Sequence, residues 1–447
     1  MTAQIIPSRT AAESALAEAF VNNKAGLPGV GAVARLREEA FAAFTRAGLP
    51  HRRIESWHYT DLRTLMREAL PIAPAPTKEQ VESLREELAG LPAQRLVLVD
   101  GVFAPEFSGA LPHGVKVNSL AAALAAGRPE LIESLVAAWA DTEDAILALN
   151  AALMQDGVVV EIAPGAKIAE PIHLVYATVA AKPAARFSRS LVKIGAGASV
   201  RINEQSVGLG GRTGQTNNAL ILEIGDAAEV GHTLALTDTL PGGMRLESFL
   251  VKVGARAKFD SFALITGAGL VRRQIFKLFA GADARGTLRG VSLLRGREHA
   301  DTTLFVRHAA TGCLGRQSFR YILDEESTGV FQGKVIVSPG AQKTDGKMLA
   351  KALLLGEEAT MNSRPELEIF ADDVICGHGA TCGGLNADQL FYLETRGLPP
   401  AEAEALLLEA FADELVDEIG HDGLAATFRG EIAAWLAARG KSRRSAA

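Results

Sequence analysis

A short glycine-containing motif recurs along the middle of the chain and limits the folds that it can adopt. Five segments share an apolar-x-apolar run, a glycine and a second apolar run: EIAPGAKI, KIGAGASV, EIGDAAEV, KVGARAKF and LFAGADAR. Their glycines are 30, 30, 29 and 27 residues apart, at Gly165, Gly195, Gly225, Gly254 and Gly281. Repetition at such a period indicates a stack of similar units, each in contact with its neighbours.

The pattern between these glycines favours a parallel β-helix. Strands of about four to six residues are expected, with no helix between them. We expect glycine to turn each corner because it reaches positive φ without a Cβ clash. An antiparallel sandwich also has short, regularly spaced strands, but its hairpins prefer Asn-Gly or Asp-Gly turns. A stacked fold has strand edges at both ends, which require a cap or a partner.

Helical patterns precede and follow this region. GAVARLREEAFAAFTRAGLP and KEQVESLREELAGL precede it, and LPPAEAEALLLEAFADELVDEIG and GEIAAWLAARG follow it; each repeats apolar residues at helical spacing. Trp57 and Tyr59, within IESWHYTDLRTL, are expected to anchor the first helices on the next domain. We therefore predict an N-terminal helical region over 1–94, a parallel β-helix over 95–385 and a C-terminal helical domain over 386–447.

The first C-terminal helical pattern is apolar on one side and acidic on the other. Leu407, Phe411, Leu415 and Ile419 repeat at every fourth residue. Acidic residues occupy much of the remaining surface: Glu404, Glu409, Asp413, Glu414, Asp417 and Glu418. Such a helical pair either caps one end of the stack or presents its acidic face to a protein partner. The periodicity alone fits both interpretations.

Composition excludes several classes of function. The chain has 46 Lys and Arg against 52 Asp and Glu, a formal net charge of −6, which gives no basic surface for nucleic acid. No apolar run is long enough to span a membrane, and the N-terminus lacks a basic segment followed by an apolar one. We therefore expect a cytoplasmic protein whose three cysteines are reduced thiols.

Two motifs that suggest enzymes also fall short of the chemistry they would need. Five residues, not four, separate the glycines of GAQKTDGK, and Met348 follows its lysine where a P-loop needs Ser or Thr. The pairs Glu325/Glu326 and Asp372/Asp373 resemble the acid-base carboxylates of carbohydrate-cleaving β-helices. Adjacent strand residues face opposite sides, however, so neither pair shares a face. A carbohydrate-active enzyme or a stand-alone β-helix metalloprotein remains the alternative function.

The segment DDVICGHGATCGGLNADQLFYLETRGLP, residues 372–399, contains the strongest candidate site. Cys376 and His378 are two residues apart, so on an extended strand they would project to one side, about 7 Å apart at the backbone. A thiolate and an imidazole suit zinc, copper or iron-sulfur chemistry. Even with Cys382, the spacing matches no four-ligand zinc site. Either another chain completes the set, or Cys376 is a small core residue and His378 forms an interface hydrogen bond.

The same segment resembles the C-terminal signature of the SufB/SufD family of SUF iron-sulfur cluster assembly proteins, and most closely its SufD-type members. That signature is Asp-Val-x-Cys-x-His-Gly-Ala-Thr followed by an acidic helix start, here FYLETRG. RIESWHYTDL is similar to the Glu-x-Trp-x-Tyr-Thr-x-Leu element near the N-terminus of the family. The SufB-type sibling has a cysteine where this chain has MNSRPELEI, which favours the SufD type.

The resemblance implies a right-handed parallel β-helix core flanked by N-terminal and C-terminal helical domains, in agreement with the periodicity. It also implies a non-catalytic scaffold subunit that pairs with a SufB-like β-helix chain. A SufC-like ABC ATPase would bind the C-terminal helices and supply the ATPase activity. The candidate contacts with that ATPase are Glu404, Phe411, Glu414 and Asp417. The resemblance leaves open whether the isolated chain forms a homodimer.

The resemblance also assigns roles to the candidate site. His378 matches a family histidine implicated in cluster assembly at the interface with the SufB-like chain, and Cys376 matches the cysteine two residues before it. Both would be transient metal ligands shared with the partner chain, while Cys382 receives no role. Gly377 and Gly379 are expected to leave room for the partner beside His378. The chain alone is expected to bind no cofactor stably; a transient iron-sulfur cluster, and a reduced flavin if one is used, belong to the complex.

Overall fold

A two-sheet parallel β-solenoid forms the middle of the chain, as the repeats predict. The computed structural model describes residues 9–127, 131, 134–135, 144–208, 214–237, 242–267 and 269–446. The first sheet, sheet A, contains β3 Val115–Ser119, β4 Val158–Ile162, β6 Ala185–Ile194, β8 Gln215–Ile224, β10 Met244–Val253, β12 Leu270–Phe279, β14 His299–His308, β16 Thr328–Val337 and β18 Thr360–Ile369. The second, sheet B, contains β1 Arg95–Val99, β2 Val102–Phe103, β5 Ile172–Thr178, β7 Ser199–Gly208, β9 Glu229–Leu236, β11 Lys258–Thr266, β13 Arg285–Leu294, β15 Leu314–Leu323, β17 Asp345–Leu354 and β19 Ile375–Gly383.

Each coil of the solenoid adds one strand to each sheet. The order in sheet A is β18-β16-β14-β12-β10-β8-β6-β4-β3, and the order in sheet B is β19-β17-β15-β13-β11-β9-β7-β5-β1-β2. From β4 and β5 onward, all pairings between neighbouring coils are parallel. The antiparallel pairs β1–β2 and β3–β4 lie at the N-terminal end.

The predicted strand length was wrong, since most strands of the solenoid contain nine or ten residues. The short estimate counted only the apolar part of each strand. Polar residues at the beginning of a strand also face the interior, where they bond to the same position of the next coil. Ser188 of β6, for example, donates to Asn218 of β8 over 2.8 Å, and the two residues are paired in register.

The corner glycines are required, but mostly for a different reason from the one predicted. Of the five, only Gly165 has a positive φ, of 71°. A Cβ on Gly195 or Gly281 would lie 2.4 Å or 2.0 Å from a backbone nitrogen of the preceding corner. The positive φ occurs instead two residues later, as at Gly197 and Ala227. Glycine therefore serves mainly to let successive corners stack closely, because a side chain would collide with the corner beneath it.

Helices from the N-terminal part cover outer surfaces of the solenoid. They are α1 Ala11–Asn23, α2 Ala32–Ala47, α3 Leu62–Leu65, α4 Lys78–Glu82, α5 Arg85–Ala89, α6 Leu120–Ala125 and α7 Ala145–Leu153. Trp57 is fully buried beneath the Arg272 guanidinium of β12, 4.1 Å from its ring centre, and its indole nitrogen donates to Asp144. Trp57 thus anchors this region on sheet A as predicted, whereas Tyr59 is only half-buried.

The C-terminal helices pack against the flank of the solenoid. They are α8 Ala387–Thr395, α9 Pro400–Val416 and α10 Asp422–Ala446. Phe428 of α10 meets Phe262 of β11 edge-on, with ring centres 5.0 Å apart, and the cluster around them includes residues of β13 and β15. The same cluster contains apolar residues of α9. Helices α9 and α10 therefore cover the outer face of sheet B and do not cap the last coil.

The apolar stripe of α9 is rotated slightly from the predicted one. Leu415 is buried as expected, but Leu407 and Phe411 are half-buried, because Leu408 and Ala412 occupy the core positions. Among the described residues, no helix has both the length and the apolar character needed to cross a membrane.

Candidate functional site

The C-terminal end of the solenoid presents two long strands with one unpaired edge each. β18 and β19 are the last strands of sheets A and B, and in the described residues each pairs in a sheet only with the coil before it. Most of their residues are exposed or half-buried, whereas the strands of the central coils are largely buried. We call this surface, residues 360–383, the open end.

Contacts with the preceding coil fix the position of β19. The backbone nitrogen of Lys343 donates to the carbonyl of Asp373 over 2.6 Å, and that of Ile375 donates to the carbonyl of Thr344 over 2.8 Å. The side-chain oxygen of Gln342 accepts from the backbone of Asp373 at 3.0 Å, and Lys343 also forms an ion pair with the Asp373 carboxylate. The segment before the candidate site is therefore anchored although it lies on the surface.

One face of β19 continues the interior of the solenoid. Cys376, His378, Ala380 and Cys382 are paired in register with Gly346, Met348, Ala350 and Ala352 of β17. The last three of these β17 residues belong to the main interior core. The four β19 residues, which we call the terminal row, thus follow directly on the core but have no coil above them in the described chain. Cys376 and His378 share one face, as the spacing predicts.

The two candidate ligands differ in exposure. Cys376 is half-buried and packs against the interior core, and burial raises the pKa of its thiol. His378 is exposed, as is Cys382. A Cβ on Gly377 would meet no atom within 4 Å, while one on Gly379 would touch Leu349 at 3.3 Å. The backbone beside His378 is consequently open on the Gly377 side.

Large apolar side chains are exposed at the open end. Ile369, Phe370 and Ile375 are 42%, 60% and 67% exposed, which is unusual for large apolar side chains grouped at one end of a domain. Within the described part of the chain, no three metal-ligating side chains come close enough to hold an ion. Cys376 and His378 therefore form at most part of a metal site.

His308, which no sequence motif marks, lies behind the terminal row. It is completely buried at the end of β14, and burial, with a smaller effect of Lys277, lowers the pKa of its imidazole to about 3. Leu304 and Val306, four and two residues before it, are interior residues. Strand alternation could therefore have identified His308 as an interior residue too.

Each of the predicted ATPase contacts also has a partner within the chain, while the Glu414 and Asp417 side chains remain 65% exposed. Glu404 accepts from Arg439 of α10 at 2.9 Å. Phe411 lies 4.7 Å from the guanidinium of Arg320 on β15, and Glu414 forms an ion pair with that same Arg320. Asp417 pairs with Arg429 of α10. These contacts attach α9 to sheet B and to α10.

Different residues make up the exposed apolar surface of the C-terminal helices. Phe391 and Tyr392 of α8 are 67% and 56% exposed, and Leu406 of α9 is 47% exposed. Tyr392 and Leu406 line one shallow groove between the two helices, with Asp388 at its margin. We call this area the α8–α9 surface.

The two carboxylates of the Glu325/Glu326 pair, considered above as catalytic groups, bind different partners in the structure. Glu325 accepts from the backbone of Gly296 over 2.6 Å, while Glu326 pairs with Arg297 over 2.8 Å. Both this pair and Asp372/Asp373 lie in corners between strands and not on a strand, so the alternation argument does not apply to them.

Comparison with protein families decides the classification. The family model described as SUF system FeS cluster assembly, SufBD core domain, matches residues 176–411. A second model, the SufBD protein N-terminal region, matches residues 22–174. The chain belongs to the SufBD family.

Individual relatives of this SufBD chain agree with the family models. An iron-sulfur cluster assembly SufBD family protein from Synechocystis is 32% identical over 389 residues, 83% of this chain and 84% of that protein. The iron-sulfur cluster assembly protein SufD from Escherichia coli is 29% identical over 387 residues, covering 85% and 87%. The chloroplastic protein ABCI7 from Arabidopsis thaliana is 25% identical over 401 residues, covering 86% and 82%. The chain is thus an iron-sulfur cluster assembly protein of this family.

Proposed function

We propose that the chain is a SufD-type scaffold subunit without its own turnover. It would pair through its open end with a SufB-like β-helix chain and bind a SufC-like ABC ATPase through its C-terminal helices. The observation that carries this proposal is the open end, where two long strand edges, exposed apolar residues and an incomplete pair of metal ligands occur together.

The free edges explain why the partner should itself be a β-helix. An unpaired edge presents backbone N–H and C=O groups that bind another strand readily. β18 and β19 end at the same coil, so a second solenoid is the partner that can continue both sheets at once. The exposed Ile369, Phe370 and Ile375 would then be removed from water.

The chemistry of the terminal row supports a shared cluster site. Thiolate and imidazole groups are ligands for iron, and two ligands from this chain require others from the partner to complete a cluster. His378 is the exposed member and is assigned the contact with the nascent cluster. Cys376 is assigned the neighbouring position, closer to the interior. The iron-sulfur cluster is cargo in this proposal, bound only while the complex assembles it.

We assign the ATPase to the α8–α9 surface. Its exposed aromatic residues Phe391 and Tyr392 have the character of interface anchors. Glu404, Phe411, Glu414 and Asp417 would then hold α9 in position for this contact, since they attach α9 to sheet B and to α10. The alternative function, a stand-alone metalloprotein, needs neither surface to be covered.

Co-expression with a SufB-like and a SufC-like chain tests the partner assignments. We expect the three chains to elute together in size-exclusion chromatography. Phe391→Ala with Tyr392→Ala should remove the ATPase and leave the SufB-like chain bound. A chain that elutes alone in every combination, or that turns over a substrate unaided, would contradict the proposal.

His378→Ala tests the cluster site. We expect the reconstituted complex to assemble normally but to give a much lower yield of iron-sulfur cluster, measured by absorbance and by iron and sulfide content. His113→Ala, which removes another exposed histidine far from the open end in sequence, should keep the normal yield. An unchanged yield from His378→Ala would remove this residue from the site.

A further inference from the structure

A row of three glycines runs along the inner face of sheet B towards the open end. Gly286 of β13, Gly315 of β15 and Gly346 of β17 are paired in register, and Cys376 of β19 follows them. Without side chains at these positions, the interior has space that residues of sheet A enter from the opposite side. A Cβ on Gly286 would lie 3.1 Å from the Lys277 amine, and one on Gly315 would lie 2.9 Å from Nε2 of His308.

His308 has unused bonding capacity in this space. It is 0% exposed and stacks on Phe279 with ring centres 4.3 Å apart. Neither ring nitrogen has a hydrogen-bond partner among the described residues, and the same is true of both amide atoms of the nearby Gln317. Buried polar atoms without partners are rare and usually indicate a bound water, ion or ligand.

Cys376 and His308 approach the same point. The position that a Cβ would take on Gly346 lies 3.4 Å from Sγ of Cys376 and 4.0 Å from Nε2 of His308. Cγ1 of Val335 forms a third wall at 3.9 Å. The missing side chain of Gly346 thus leaves a gap bordered by a thiol and an imidazole.

We propose that this gap is an internal metal-binding site in which Sγ of Cys376 and Nε2 of His308 hold a divalent cation of the Fe²⁺, Co²⁺ and Zn²⁺ class. Sulfur and imidazole nitrogen are the donors that such cations prefer. The amide nitrogen of Gln317 on β15 lies 3.3 Å from the position of a Cβ on Gly315, so a further polar group borders the His308 side of this space. On binding, the cation replaces the thiol proton of Cys376, which is released to solvent.

The site deepens the proposed function and rests on it for its biological meaning. Cys376 would then lie between an inner ligand, His308, and the outer cluster site with His378, so that iron is held at the entrance to the shared interface. Lys277, one coil deeper, is held by the carbonyl of Gly286 at 3.0 Å. Its charge opposes cation binding, so Lys277→Met should tighten the binding of metal.

Cobalt titration of the reduced full-length chain tests the site directly. The Cys382→Ser background removes the exposed thiol of the terminal row from the measurement. We expect one Co²⁺ per chain, with a near-ultraviolet thiolate-to-cobalt absorption band that Cys376→Ser abolishes. Since loss of an outer-shell partner alone typically weakens metal affinity by about 10–100-fold, His308→Ala should weaken it by about 100-fold or more.

Gly346→Ala is the sharpest variant, because its methyl group fits at ordinary contact distances of 3.4 to 4.0 Å yet occupies the proposed metal position. It should fold normally and lose the cobalt band. Gly377→Ala, a glycine of the last coil with no atom within 4 Å of its Cβ, should keep both fold and band. This pair keeps the test valid even if His308→Ala fails to fold.

Three outcomes overturn the internal site: no thiolate band in the Cys382→Ser chain, a band that survives Gly346→Ala, or a band that His378→Ala abolishes while His308→Ala does not. The last outcome would place the metal at the outer pair alone. These results are independent of the cluster yield of the reconstituted complex, so failure of the internal site and failure of the proposed function can be told apart.

Discussion

The two ends of the solenoid are built differently. At the N-terminal end the outermost strands are short: β2 has two residues and β3 has five. Both are antiparallel to their neighbours, and Phe103 and Leu111 pack against the interior there. At the C-terminal end, β18 and β19 have ten and nine residues. Both pair in parallel with the preceding coil along their whole length. Short, irregular edges prevent further pairing, whereas long regular ones permit it.

The difference extends to the side chains of the two kinds of coil. In the central coils, interior residues are closed on both sides by neighbouring coils, as at Phe331, which is 0% exposed. Its partner in the last coil is Ser363 of β18, and the interior of β19 carries the thiols and the imidazole of the terminal row. The central coils thus account for stability, and the last coil is available for function.

The largest effect that separates the two regions should come from truncating a core residue. Phe331→Ala removes a fully buried ring and should cost about 3–5 kcal/mol of unfolding free energy. Ile375→Ala, at a position 67% exposed, should cost under about 0.5 kcal/mol. Urea unfolding of both variants measures the contrast, and similar losses would show that the last coil is packed as tightly as the central ones.

The next contrast concerns two ion pairs on the outer side of sheet A. Arg272 and Asp301, in β12 and β14, are both 0% exposed, and Thr60 also donates to Asp301. Arg364 of β18 pairs with Glu55, and the two side chains are 37% and 65% exposed.

Asp301→Asn should destabilise the chain by about 3 kcal/mol, because it leaves a buried guanidinium without its counter-charge. Glu55→Gln should cost less than about 1 kcal/mol, since exposed pairs contribute little. Thermal and urea unfolding measure both. Equal effects would mean that the N-terminal segment binds the last coil as firmly as the central ones.

The pH dependence of stability should identify the central interior as the acid-sensitive region. Burial lowers the pKa of His232 in β9 below its ordinary 6.5, so the unfolded chain binds a proton at this residue more readily than the folded chain does. Stability from this group is complete above about pH 6.5 and decreases as the pH falls below it. His232→Gln should make the loss of stability at low pH smaller, measured as urea midpoints between about pH 4 and 7. If the midpoints of the variant fall with pH as steeply as those of the unmodified chain, another residue causes the acid sensitivity.

The smallest effect on folding should come from proline at the open edge. The backbone nitrogen of Ile375 donates to Thr344, the residue before β17, so by alternation that of Ala380 points to the free edge and that of Thr381 towards β17. Ala380→Pro should change stability by no more than about 1 kcal/mol and yet prevent pairing with the SufB-like chain. Thr381→Pro should destabilise the last coil itself. Normal pairing of Ala380→Pro would show that β19 does not bind a partner strand.

Much of the fold was predictable because its repeats are local. The spacing of the corner glycines, the alternation between them and the helical patterns on either side indicated the parallel β-helix and its flanking helices. The strand lengths were underestimated because polar interior residues such as Ser188 and Asn218 look like strand ends in the sequence. The exact stripe of α9 was missed for a related reason: Leu407 and Leu408 are both apolar, and only packing against sheet B selects between them.

The candidate site was predictable in part. The two-residue spacing of Cys376 and His378 placed them on one face, and the structure agrees. The sequence did not reveal His308, because it lies 68 residues before Cys376 and the two approach each other only through the register of the stacked coils. It also gave no reason to connect Gly346 with either residue.

The order of residues alone determined the repeating unit, since the corner chemistry and strand alternation act over a few neighbouring positions. It also determined which family signature the chain carries. Only the tertiary structure decided which coil is last, which strand edges are free, and that the C-terminal helices cover the flank of sheet B and leave the end open. These properties depend on how whole coils stack across dozens of residues, and no local pattern encodes that stacking directly.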